Sequence, residues 1–198
     1  MFSKLIRRTH MYLALFLTPW VLIYALSTMA MNHREFLKRF YGENPVQFEK
    51  ESEQVYSGTV PPDATPKQAA VQILRNLNRE GAFSVQGRPD GEQLTIFRQH
   101  PISPQRIIYS PKDHKLVIEK QVFNSATFLE RMHRRRGFQH DYGLEDTWAF
   151  SVDLVIVAMT FWGLSGLWMW WELRATRGWG VLSLTAGVAL FAFFLFTI

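Results

Sequence analysis

The sequence predicts a membrane-embedded helical protein, with three transmembrane helices and one small extramembrane α+β domain. Apolar stretches at residues 11–31, 148–171 and 181–198 run for 21, 24 and 18 residues. A helix that crosses a bilayer needs about 20 residues at about 1.5 Å rise each. Mean hydropathy is nonetheless only −0.07, because the polar stretch 32–147 offsets the spans. That stretch is long enough for one domain of ordinary size.

Residues 1–10 form a basic flank, and the first span follows. Lys4, Arg7 and Arg8 precede it and Thr28-Met29-Ala30 is small, which invites a signal-peptide reading. The apolar run is too long for a signal h-region and carries Pro19 and Trp20 in its middle, so it reads as a retained anchor that Pro19 should kink. Residues 32–63 read as a connector with an aromatic patch at Phe36, Phe40 and Tyr41, then a polar run ending in Pro61-Pro62-Asp63.

Order begins in the domain 64–122. Thr65, Pro66 and Gln68 spell a capping box with proline at the first helical position. Ala69, Ile73 and Leu77 share one face of the helix, and Gly81 closes it. Short alternating runs at 82–86, 94–98, 106–109 and 116–120 are separated by turn clusters, which predicts about four antiparallel strands with the helix across one face. Residues 123–147 hold a second helix, 125–136, capped by Asn124 and ending at Gly137, and a linker. Its last turn, 131–136, is basic. The second span, a short loop at 172–180 and the third span complete the chain.

Basic residues set the expected orientation. Lys4, Arg7 and Arg8 flank the first span, and Arg174 and Arg177 lie between the second and third. Both flanks are then cytoplasmic, and residues 32–147 and the C-terminus lie outside, in the periplasm of a bacterium with two membranes. Trp148 marks one end of the second span, and Trp168, Trp170 and Trp171 the other. The pI of 9.6 does not indicate nucleic acid, because residues 32–147 hold 17 Lys and Arg against 15 Asp and Glu. The chain has no cysteine, which excludes thiolate catalysis and thiolate metal sites.

These pieces together resemble the PepSY-associated transmembrane proteins of bacteria, over nearly the whole chain. Arg7-Arg8-Thr9-His10 is similar to the start of that family's first helix, and Met31-Asn32-His33-Arg34 to its exit. Thr65 to Glu119 resembles one PepSY domain. Met132-His133, the stretch from Trp148 to Asp153, and Leu164-Ser165-Gly166-Leu167-Trp168 resemble the approach to the second span and the span itself. The resemblance implies a binding or inhibitory module, and therefore a partner rather than a substrate.

The histidines are the residues with chemistry to weigh. His33 ends the first span, and His133 and His140 precede the second on the same side. The three are candidate ligands of a b-type haem, or else interfacial histidines bonded to head groups and backbone. The resemblance favours His133 over His140. His10 lies 23 positions before His33, about 34 Å along a helix, so it is a weaker candidate that would need a second copy of the chain or another subunit. Its plainer reading is a snorkelling basic residue beside Arg7 and Arg8. Asp153 is an acid inside a span, with Asn32, His33 and Arg34 as expected partners. It is a buried pair, a proton handler, or (like Asp141) a hydrogen-bond acceptor behind a haem-ligating histidine. His100 and His114 fall in turns and read as solvated. No catalytic or metal motif is present.

The resulting expectation is a non-catalytic, membrane-anchored accessory module of PepSY type, with lipid and another membrane or periplasmic subunit as partners. A homodimer is allowed and nucleic acid is not expected. The alternative is a haem-bearing subunit for electron transfer or iron reduction.

Overall fold

The computed structural model describes residues 1–42, 46–61, 63–135, 137–140 and 142–197. Pro62, Arg136, Asp141 and Ile198, named above, lie outside the described residues. The chain divides into two units, residues 1–21 with 151–198, and residues 22–150. Among the described residues, three helices are long and apolar enough to cross a membrane: Phe2–Asn32, Gly143–Glu172 and Arg174–Thr197.

In the first unit, α1 (Phe2–Asn32) contributes its opening half and α5 (Gly143–Glu172) its later part. Leu17, Val155 and Ala158 are buried together, with Leu13 and Trp20 packed around them. At the basic flank, Glu172 accepts hydrogen bonds from Ser3 (2.6 Å) and from the Trp168 indole (3.0 Å), and Arg7 stands 3.6 Å away. A 3-10 turn, Arg174–Thr176, leads into α6 (Arg177–Thr197), which is exposed along its apolar length.

The second unit is built on a five-stranded antiparallel sheet in the order β1-β5-β4-β3-β2. Its strands are β1 (Phe48–Val55), β2 (Phe83–Gly87), β3 (Leu94–Arg98), β4 (Gln105–Ser110) and β5 (Lys115–Gln121). The helix α3 (Pro66–Asn76) covers one face. Its Ala69, Ala70, Ile73 and Leu74 pack on Leu94, Ile96, Ile107, Tyr109, Leu116 and Ile118. The capping box forms as the sequence spells it: Gln68 N–H donates to the Thr65 hydroxyl at 3.3 Å, and Thr65 N–H donates back to the Gln68 side chain at 2.9 Å. Gly87 ends β2 at φ +90°, where a Cβ would run into the Gln93 carbonyl.

The stretch read as a connector holds two ordered elements, α2 (Arg34–Tyr41) and the edge strand β1. The strand reads Phe-Glu-Lys-Glu-Ser-Glu-Gln-Val, with no alternation of apolar residues, so pattern reading passes over it. Charge holds it instead. Glu53 meets Lys115 of β5 at 2.5 Å and also pairs with Lys50, Glu51 takes both nitrogens of the Arg79 fork at 3.1 Å, and Arg106 lies 4.5 Å over the Phe48 ring. A bulge between Lys50 and Ser52 bends the strand at Glu51.

A fourth helix in chain order, α4 (Ser125–Arg134), starts where Asn124 accepts the backbone N–H groups of Ala126 and Thr127. Arg131 fixes it to the sheet, donating to the Pro101 carbonyl (2.9 Å) and to the Gln121 side chain (2.7 Å).

Two outcomes test this packing. Ile73 is fully buried, and a Leu or Ile truncated to Ala in a core costs about 2–5 kcal/mol. Ile73→Ala should therefore lower the stability of the sheet unit on that scale, read by urea unfolding of the full chain in detergent. The hydrogen bonds from Lys115 and Lys50 hold the Glu53 carboxyl down from the ordinary 4.5 to about 2. A depressed carboxylate stabilises the folded state above the unfolded value and loses that effect as pH falls. The urea midpoint should therefore decline between pH 4.5 and about 2, and Glu53→Gln should flatten that part of the curve.

Candidate functional site

The second unit gathers its histidine chemistry around α4 and the segment that leads into α5. His133 is on the last turn of α4, and its ring packs edge-on against Tyr24 with centroids 5.2 Å apart. Its Nδ1 lies 2.8 Å from the hydroxyl of Ser27, which is fully buried. Ser27 gives its one hydroxyl proton to the Tyr24 carbonyl at 2.8 Å, so Nδ1–H of the neutral imidazole must donate to Ser27. Among the described residues Nε2 is then left with an unshared lone pair, the state in which a histidine binds metal or haem iron.

His140 is held differently. Its Nδ1–H donates to Glu145 at 2.7 Å, and Nε2 accepts from the Gln99 amide at 3.5 Å. Glu145 is 1% exposed, with Arg135 3.8 Å away on its other oxygen. Both nitrogens of His140 are in use, and the residue works as a tie between the β3–β4 loop and the start of α5.

His33 is the single residue between α1 and α2. Its N–H donates to the Met29 carbonyl, and its carbonyl accepts from Leu37. Its ring is exposed and makes no hydrogen bond among the described residues. His133 stands level with Ser27, six positions before His33, which is about 9 Å along a helix. No hydrogen bond or ring contact joins any two of these histidines, and no cluster of three potential metal ligands occurs among the described residues.

Asp153 is exposed on α5, without a hydrogen bond or ion pair among the described residues. Arg34, one of its expected partners, pairs with Glu130 instead. His100 sits in its turn with Nδ1 accepting the Ser103 backbone N–H at 3.2 Å, and burial together with Arg98, Arg135 and Arg131 lowers its pKa.

In the first unit His10 is anchored more firmly than a snorkelling residue. It stacks on Trp162 at 5.5 Å, and its Nδ1 is 2.8 Å from the Ser165 hydroxyl. Ser165 donates to the Trp162 carbonyl at 2.9 Å, so His10 has the same proton arrangement as His133. The sequence reading named none of Ser27, Ser165, Tyr24 and Glu145 as a partner of these histidines. The available signal was a serine in an apolar helix, where a hydroxyl bonded to its own helix carbonyl still offers an acceptor.

Comparison with protein-family models, curated proteins and solved structures gives no match to this chain.

Removing one partner from a buried ion pair costs about 3–5 kcal/mol, because the other charge stays buried alone. Glu145→Ala should destabilise the full chain in detergent by about 3 kcal/mol, since it strands Arg135 and His140 together. His140→Gln should cost clearly less, and thermal unfolding of the two variants side by side checks the order.

Proposed function

We propose that the chain is a membrane-anchored accessory protein of PepSY type, whose sheet unit docks a second protein at the membrane surface. The observation that carries this is the sheet face opposite α3. The register sets Thr95, Ile108 and Val117 in a row across β3, β4 and β5, with Phe97 beside them, and all four are only part-buried. The apolar side chains of Phe97, Ile108 and Val117, next to the Arg106–Glu119 pair at 2.5 Å, are what a protein partner covers. The basic flanks at Lys4, Arg7, Arg8, Arg174 and Arg177 support a cytoplasmic N-terminus, with the sheet unit on the far side of a bacterial inner membrane.

The partner is another membrane or periplasmic subunit. Solubilised gently from native membranes, the chain should migrate in a stoichiometric complex. Ile108→Glu should release it without changing its circular dichroism. A wild-type chain that migrates alone, or an Ile108→Glu variant that stays in the complex, refutes the reading.

A second reading, a b-type haem subunit for electron transfer, is favoured by His133, whose Nε2 lone pair the Ser27 contact leaves unshared. It requires a Soret band that His133→Ala abolishes. His140→Ala should leave the band in place, because both nitrogens of that ring are already engaged.

A further inference from the structure

A pocket of about 270 Å³ lies where α1 gives way to α2. Its floor is Ala30 and Met31, in the last turn of α1. One wall is the Arg34, Leu37, Lys38 and Tyr41 face of α2, and Ala126, Thr127 and Glu130 of α4 form the other. The pocket therefore begins within a turn of the apolar stretch, at the depth where a span leaves hydrocarbon and lipid phosphates lie.

Its charges are of both signs. Arg34 pairs with Glu130, which also has Arg134 at 3.3 Å, and Lys38 holds Glu35 at 2.7 Å. A carboxylate has about four acceptor positions, so Glu130 can take a further donor. A purely anionic guest would gain from Arg34 and Lys38 but meet Glu130 head-on, whereas a guest with a phosphate beside a primary ammonium satisfies both. Phe36 and Phe40 stack edge-on at 5.1 Å on another side of α2 and are 55% and 70% exposed. An exposed aromatic pair on a basic helix next to a span belongs in the interfacial layer.

We propose that this pocket binds the head group of an amine-bearing phospholipid, its phosphodiester at Arg34 and Lys38 and its ammonium at Glu130. The volume suits a head group with the acyl chains left outside against Met31 and Leu37. The assignment rests on α1 crossing the membrane and is independent of the accessory and haem readings.

The test is native mass spectrometry of the full chain from micelles containing equal amounts of phosphatidylethanolamine, phosphatidylcholine and phosphatidylglycerol. Phosphatidylethanolamine should be retained about threefold or more over each of the others, the scale of one partly exposed ion pair. Phosphatidylcholine has no ammonium hydrogen to donate, and phosphatidylglycerol has no cation. Glu130→Gln should erase that preference while leaving phosphatidylcholine unchanged, and Arg34→Gln should weaken all three. Equal retention in the wild type, or a preference that survives Glu130→Gln, overturns the proposal. Binding of soluble glycerophosphoethanolamine as tightly as the lipid also overturns it, by showing that the acyl chains and the membrane contribute nothing and the pocket takes a free phosphodiester.

Discussion

The unit between the spans is organised by three neighbouring side chains of α4 that reach in different directions. Arg131 grips the sheet through the Pro101 carbonyl and Gln121. Glu130 holds Arg34 at the start of α2, and His133 locks onto Ser27 and Tyr24 near the end of α1. A guanidinium makes two fixed contacts with little freedom left to lose, so Arg131 sets the register of the helix. The direction of Glu130 and the seat of His133 follow from that register. A helix of ten residues could not be stable alone; these contacts, with the Asn124 cap, keep it formed.

What could be read in advance divides along physical lines. The capping box at Thr65 and Gln68 depends on residues three apart, and it was legible because its energetics are local. The strands β2 to β5 lie within a residue or two of the alternating runs, since one face of each is buried against α3. The strand β1 and the helix α2 were hidden for the opposite reason. The strand is held by ion pairs to β5 and Arg79 and has no apolar period of its own, whereas the helix repeats Phe36, Leu37, Phe40 and Tyr41 at helical spacing but is only eight residues long and leans on α4. The connector reading missed the roles of Glu51 and Glu53 because their partners lie far along the chain.

The histidines were visible as a group, but their partners were not. His133 and His140 look equivalent in the sequence, two imidazoles ahead of the second span. Folding separates them: one leans on a hydroxyl already committed to a helix carbonyl, the other on a buried carboxylate. The hydroxyl and the carboxylate each fix the tautomer of their ring, but only His140 has a partner on both nitrogens among the described residues. Position in the chain does not reveal that difference.

The charged strand at the edge of the sheet has a consequence for encounters between copies of the chain. A flat open strand would invite the next copy to add its own strand and start a fibre. The strand from Phe48 to Val55 carries Glu49, Lys50, Glu51 and Glu53 and is broken by a bulge at Glu51. An approaching identical strand would meet like charges and a backbone bent out of register. The same side chains that attach this strand to its own sheet therefore keep neighbouring copies from continuing it.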